Sequence, residues 1–548
     1  MNTYRFRELP VDLSKKGLVR EALAKALRLH DEEIFNLEVE RFALDSRRKG
    51  NPHWTYNVIF DVNRKLKATG NAARGLIEAS REKESLENDA FAASVPMASH
   101  VSVIGGGPAG LWASLHLLRR GFCVDIYEQG KPVEERFRDI RRFFADRIFN
   151  EHSNVLFGEG GAGAFSDGKL NTRSRNIFSE AVLKDMVDFG VDESVITFAK
   201  PHIGTDRLVL MLRKIRAEIA RLGGRIHFYT ALEDIEIKNG HIAAIKLRDV
   251  SNKGTSTCKG LHETVESSCA KAEWVPCEAL VLATGHSARS VYEMLHARGV
   301  TLESKAFAMG VRVEHPQALI NLRQLGKDID TRLTGAAEYF LATPTLNKTS
   351  SAYSFCMCPG GVLVPCASEA GTLATNGMSY SSRNGKIANG AIVVPIDASE
   401  KLFGGLDFQR KIEADAFNVG GKKYAAPAQT IKSFIAHHAD KMLPKTTYPC
   451  GLVACNMWDW LDKKICQSLA EGFVNFDRKI PGFIDQGLIV APETRTSSPL
   501  RITRNSDTLE SVNTKGLFVL GEGAGYSGGI VTSAADGVRL AVRAKLCK

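Results

Sequence analysis

The stretch VSVIGGGPAG at residues 101–110, continued by LWASLHLLRRGFCVDIYE to residue 128, decides the fold. An apolar run ends in a glycine turn, a helix with Leu111, Leu115 and Leu118 on one stripe follows, and a second apolar run, Val124–Tyr127, closes on an acid. That order is the opening of a βαβ unit. Gly105, Gly107 and Gly110 stand in G-x-G-x-x-G register across the turn. In that pattern the first glycine permits the tight turn, the second lets bare backbone approach a pyrophosphate, and the third lets helix and strand pack closely. Pro108 and Ala109 begin the helix, whose free N–H groups and positive dipole end suit phosphates. Glu128 supplies acceptors for ribose hydroxyls and disfavours a 2′-phosphate, with Gln129 beside it. A bare glycine pattern is common in turns, but here the strand, helix and acid that give it meaning are all in place.

Outward from this unit, the 548 residues are 44% hydrophobic and 24% charged, the composition of a globular chain of several domains. Disorder, collagen and coiled coil are excluded as the main theme. The surplus of 72 Lys+Arg over 62 Asp+Glu gives +10, a mild basic bias that suits an anionic small-molecule substrate and is too dilute to imply nucleic acid. Eleven cysteines without the dense spacing of a secreted scaffold lead us to expect reduced thiols and a cytoplasmic location. The first residues carry Arg5, Arg7 and Glu8 where a signal peptide needs its apolar core, and no apolar run approaches the ~18 residues of a membrane span.

Residues 1–95 read as a small α+β domain: a strand Tyr4–Leu9, a helix striped by Leu18, Ala22, Leu23 and Leu27, strands around Ile34–Leu44 and Trp54–Val62, a helix over 68–91, and a linker over 94–99. The basic hairpin tip Arg47–Lys49 reads as a solvated loop, since residues 1–98 hold seventeen Lys/Arg against fifteen Asp/Glu. The nucleotide domain then covers 96–300, with a polar surface insertion at 251–276, and resumes over 481–548. Residues 301–480 form a cap or substrate domain. Within the nucleotide domain we expect a helix Leu208–Leu222, strands at Ile226–Thr230, Ala231–Ile237, Ile242–Leu247 and Ala279–Ala283, and at the end a strand Leu517–Leu520 and a helix from Ile530.

Two further motifs resemble those of flavoproteins. LVLATGHSAR at 280–289 is similar to their ATG strand-turn, and GLFVLGEGAGYSGGIVTSAADG at 516–537 to their C-terminal flavin motif. The runs NVLFGEGGAGAFSDGKLNTR (154–173), KAFAMGVRVEHPQ (305–317), YSFCMCPGG (353–361), TNGMSYSSRN (375–384), NFDRKIPGF (475–483) and ETRTSSPLRITR (493–504) resemble the uncharacterised bacterial FAD-dependent dehydrogenases, the NAD(FAD)-utilizing dehydrogenase family. The resemblance covers most of 100–548. It implies non-covalent FAD, an FAD-dependent oxidoreductase, and an α/β fold: a Rossmann-like FAD-binding domain with an inserted mixed-sheet cap. It also implies FAD contacts from Ala283, Thr284 and Gly285, from Gly521 and Glu522, where Asp is usual, and from Gly528, Gly529 and Ile530 at a helix start.

The loop GEGGAGAFSDGKLN places Gly168, Lys169 and Leu170 against the flavin, with Ser166, Asp167 and Asn171 as polar neighbours. Lys169 is either an electrostatic partner for the flavin's reactive edge or a solvent-facing turn residue. Arg136 is either a pyrophosphate ligand or part of a solvated helix face. His286 and Arg289 follow the ATG turn. Cys356 and Cys358 are catalytic candidates as a redox pair, although i and i+2 on a regular strand favour no relaxed disulfide. The other cysteines supply no zinc or iron–sulfur spacing, so no metal is expected. His315, Arg495 and Arg501 are candidate anion contacts. With no second βαβ nucleotide unit read in the sequence, NAD(P)H is expected to visit the flavin only transiently as an electron donor. Two alternatives stand beside hydride transfer from an organic substrate: an NAD(P)H-dependent monooxygenase and an RNA-associated flavoprotein.

Overall fold

The computed structural model describes residues 1–67, 72–81, 95–170, 176–251, 272–343 and 351–546. Its centre is an all-parallel five-stranded sheet in the order Leu517–Val519, Leu280–Leu282, His100–Ile104, Cys123–Tyr127, Arg225–His227. These short strands are apolar on both sides because both faces are covered. Val101, Val103, Ile126, Val281 and Phe518 pack under the helices Pro108–Arg119, Thr205–Arg221 and Ile530–Arg543. Ile104, Tyr127, Leu280, Leu282 and Val519 turn the other way, toward an antiparallel sheet of Thr230–Lys238, His241–Asp249 and Ala272–Pro276. That last strand begins inside the segment expected to be irregular. It pairs along His241–Asp249, so only 252–271 of the expected insertion lies outside the described residues.

The chain leaves His100–Ile104 toward one side of the sheet and returns later to the other. A crevice therefore opens at the carboxyl ends of the neighbouring strands, where α/β sheets bind ligands. Ile104, Ala283 and Leu520, at or just past the ends of three adjacent strands, all border one cavity.

Over this crevice lies a six-stranded mixed sheet in the order Tyr353–Cys358, Ile387–Ile396, Phe307–Pro316, Leu488–Glu493, Ala426–Thr430, Leu452–Ala454. The helix Lys463–Lys479 seals it through Ile465, Leu469, Phe473 and Phe476. Leu488–Glu493 sits inside this sheet beside Phe307–Pro316. The cap therefore continues beyond the expected boundary at 480, because a strand paired on both edges cannot belong to another domain.

The N-terminal domain is a four-stranded antiparallel sheet, Phe35–Asp45, His53–Val62, Asn2–Val11, Leu76–Glu78, covered by the helix Val19–Leu27. That helix buries Val19, Leu23 and Ala24 and leaves Leu18 half exposed, so its apolar stripe is offset by one residue from the expected one. The helix expected over 68–91 is one turn, Ala72–Gly75, running into the edge strand Leu76–Glu78; 68–71 and 82–94 lie outside the described residues. Most of the described part of the expected linker is a strand: Val95–Met97 pairs in parallel with Ala544–Leu546 and ties the two ends of the nucleotide domain together. The domain docks through Phe42, whose ring stacks on Phe198 at 4.9 Å, and through Gly50 N–H, which donates to Leu325 O at 2.8 Å. Arg47 of the basic tip is ion-paired with Asp45.

Candidate functional site

The cavity between the nucleotide domain and the cap has a volume of about 500 Å³. Its floor is built from glycine because nothing larger fits. Gly105 has φ +107°, and a Cβ there would lie 2.4 Å from Ala283 O; at Gly110 a Cβ would lie 2.0 Å from Gly105 O. Both contacts are backbone and cannot yield. Gly110 does not touch the cavity; it seats the helix. Gly107, Pro108 and Ala109 border the cavity where Pro108–Arg119 begins, and Gly529 and Ile530 do so where Ile530–Arg543 begins. Two helix N-termini thus meet one space, the arrangement that binds a bridging pyrophosphate. Gly528 lies outside the lining residues, and a Cβ there would meet nothing within 4 Å.

Glu128 borders the cavity and is held by three backbone donors: Gly106 N–H at 2.7 Å to Oε2, and Gly130 and Gly158 N–H at 2.8 and 3.0 Å to Oε1. One lone pair of Oε2 is left for a ligand hydroxyl. Gln129 lies beside it, together with Glu151, His152 and Thr230, which spacing alone did not single out. Ala283, Thr284 and Gly285 line the next section of the cavity, opposite Gly521 and Glu522. His286 is buried here, its Nδ1 3.6 Å from Glu522 and its Nε2 without a protein partner. Asp536, also unremarked in the sequence, fixes this turn by accepting from Gly521 N–H at 3.1 Å and Ser527 Oγ at 2.8 Å.

Arg136 occupies neither of its expected places. Its guanidinium is fully buried outside the cavity and donates at 2.8 Å to the carbonyls of Asn154, Val155 and Glu159. It shapes the loop GEGGAG from behind, and that loop in turn lies on the glycine turn, Gly160 N–H to Gly106 O at 2.8 Å.

The far end of the cavity is where nucleotide domain and cap meet. Gly168 and Lys169 line it, whereas Leu170 is buried behind them and Asn171 lies outside the described residues. Lys169 Nζ donates to Met357 O and lies 3.8 Å from Asp167. Burial pushes the Asp167 carboxyl up, but Arg383 and Lys169 outweigh it and hold the group below its ordinary range. From the cap come Phe355, Cys356, Asn376, Arg495 and Thr496. Cys358 is fully buried beneath.

Arg289 and Arg495 share one carboxylate at this end. Glu413 accepts from Arg289 Nη2 at 2.9 Å and from Arg495 Nη2 at 2.9 Å, and all three are buried. Burial alone would raise Glu413, yet the two arginines hold it below its usual range. Arg495 also donates to Ser368 Oγ at 2.6 Å, while its Nη1 is buried with no protein partner. The other anion candidates stand elsewhere. His315 is enclosed in the cap against Phe483 O, where burial brings it down to about 4, and Arg501 pairs with Glu303 near the surface. Among the described residues, no three His, Cys, Asp or Glu side chains are grouped to hold a metal ion, and no helix is long and apolar enough to cross a membrane.

The floor thus fits a dinucleotide: glycines that a Cβ would block, two helix N-termini, and an acid with one free lone pair. Residues 306–496 match the family model described as FAD-dependent protein, C-terminal domain-like. An uncharacterized protein of Clostridium beijerinckii is 37% identical over 534 residues, covering 96% of this chain and 95% of that one. The chain belongs to this FAD-dependent family. FAD is the cofactor of the family member described here. Among solved structures it is similar to L-proline dehydrogenase from P. horikoshii (11% identity, 82% of this chain and 93% of that one, TM-score 0.36). It is also similar to a geranylgeranyl bacteriochlorophyll reductase-like protein from Thermoplasma acidophilum (12%, 81% and 77%, TM-score 0.35). Similarity at that distance assigns no substrate.

Proposed function

We propose that this FAD-dependent protein is an oxidoreductase that moves a hydride between an organic anion and its flavin, in the space where the cap meets the nucleotide domain. The observation that carries the reading is Arg495, a guanidinium held at the cavity wall by Glu413 and Ser368. A fixed guanidinium at that wall attracts a ligand carboxylate or phosphate. The pairing with Glu413 and Ser368 fixes the guanidinium, so the anion is oriented rather than merely attracted.

FAD, bound non-covalently, supplies a ring that takes or gives two electrons with a proton. Gly107, Gly529 and the two helix starts would hold its pyrophosphate, Glu128 its ribose, and Glu522 with His286 the chain between pyrophosphate and ring. Lys169 places positive charge at the end that Phe355 and Thr496 line. With one five-stranded parallel sheet among the described residues to hold a dinucleotide, a reduced nicotinamide would enter this same space and leave.

Anaerobic stopped-flow mixing of the holoprotein with NADH, with NADPH and with a panel of small organic acids tests the reading. Loss of the oxidised-flavin absorbance with at least one of them, saturable in its concentration, is expected. Fully flavinated protein that none of them bleaches contradicts it.

A further inference from the structure

The cap strand Tyr353–Cys358 breaks its own pattern at the cavity wall. Pairing with Ile387–Ile396 is regular to Phe355, opposite Ala391, and resumes at Cys358, opposite Asn389. Three residues are spent against two, so Cys356 and Met357 form a bulge, and Cys356 takes φ +44°. That region is uncommon for a residue with a side chain, and such strain persists only where the surroundings impose it. Two cations impose it here: Arg312 Nη1 donates to Cys356 O at 2.8 Å, and Lys169 Nζ donates to Met357 O.

The bulge alters the relation between the two thiols. On a regular strand, i and i+2 stand side by side at a separation unsuited to a disulfide. Here Cys358 folds back, its thiol donating at 3.6 Å to Cys356 O, the carbonyl of its own would-be partner. Cys356 borders the cavity while Cys358 is sealed behind it.

We propose that Cys356 and Cys358 are a redox-active dithiol–disulfide pair serving the flavin cavity. The neighbouring Cys358 thiol lowers the Cys356 thiol; burial opposes this, and Lys169 and Arg312 add to the lowering while Asp167 counters it. Cys358, facing the Cys356 charge in a buried place, is pushed up. A cavity-facing thiol of lowered pKa beside a buried thiol of raised pKa is the asymmetry that dithiol chemistry uses. In the oxidising direction the Cys356 thiolate and the Cys358 sulfur join through one Sγ–Sγ bond and the Cys358 S–H bond breaks. Two electrons and that one proton pass to the bound FAD, so charge and atoms balance. The pair rests on the flavin cavity and not on an anionic substrate at Arg495.

The test uses holoprotein without substrate. After treatment with diamide, the protein is denatured, alkylated with iodoacetamide without reductant, and digested. The peptide carrying both cysteines is expected to be lighter by two hydrogens and unlabelled, and to take two labels after dithiothreitol. Anaerobic dithionite titration of that oxidised holoprotein is expected to consume four electrons per flavin in wild type and two in Cys356→Ser and Cys358→Ser, each retaining FAD. A wild-type peptide that is doubly alkylated despite diamide, or equal electron uptake in wild type and variants, overturns the proposal. The peptide measurement needs no variant, so a misfolded substitution does not blunt it.

Discussion

Beneath the cavity stand Gly105 and Gly107, with Gly110 seating the helix behind them, and all three act through the absence of side chains; at and behind the opposite wall stand Arg289, Arg495, Arg312, Glu413 and Glu493, which act through buried charge. The floor is made by local chain geometry, with turn, helix start and acid within thirty residues. The wall is made by pairs distant in sequence: Arg312 to Glu493 at 2.7 Å and Arg289 to Glu413 at 2.9 Å join segments more than a hundred residues apart. The floor is therefore suited to a constant ligand held by backbone, and the wall to a feature that side chains can tune.

The contrast is sharpest if each side is broken in its own way. Gly110→Val, which would drive a Cβ into Gly105 O, is expected to abolish FAD retention; the absorbance ratio at 450 and 280 nm of the purified protein measures it. A yellow, stoichiometric Gly110→Val protein would mean that the floor is less constrained than its contacts state. On the wall, Glu413→Gln leaves Arg289 and Arg495 short of their shared counter-charge. Breaking a buried pair this way costs about 3–5 kcal/mol, to be read as a shift in the denaturant midpoint.

Legibility follows the same division. The βαβ opening could be read from residues 100–128 because hydrophobic period, glycine register and the terminal acid are all local signals. Gly168 and Lys169 were likewise findable from their glycine-rich loop. Arg136 was misplaced because a charged residue in EERFRDIRRFF looks solvated, and only the carbonyls of 154–159, brought over it by the fold, reveal that it is buried. Leu488–Glu493 falls on the other side of the expected boundary because strand pairing across more than 170 residues leaves no trace in either segment alone. The unsuitability of C-x-C for a disulfide assumed a regular strand, and the bulge at Cys356 removes that assumption.

Smaller effects refine the comparison. Arg495→Lys keeps the charge but loses the planar fork, and is expected to raise KM for the organic anion about 10- to 100-fold, in line with ~1.5–3 kcal/mol for a hydrogen bond to a charged group, while FAD content holds. Loss of FAD in that variant would place Arg495 in the floor's role rather than the wall's. The smallest effect lies at the edge of the parallel sheet. Burial pushes the Asp125 carboxyl up, but hydrogen bonds from Arg225, His227 and His100 outweigh it and bring the group from 3.8 to about 2. Because the folded value is the lower one, its contribution is present above pH 3.8 and is lost as pH falls through about 2. Arg225 is solvent-exposed and screened, so the contribution is on the order of 1 kcal/mol. Urea midpoints compared with Asp125→Asn should differ at neutral pH and converge in acid.

Quantifying flavin released into the supernatant on acid precipitation of the purified protein tests most directly whether the three strand ends hold one dinucleotide. One FAD per chain, absent from the Gly110→Val pellet and supernatant alike, is the expected result. A colourless wild-type protein that acquires no flavin when FAD is added would contradict it.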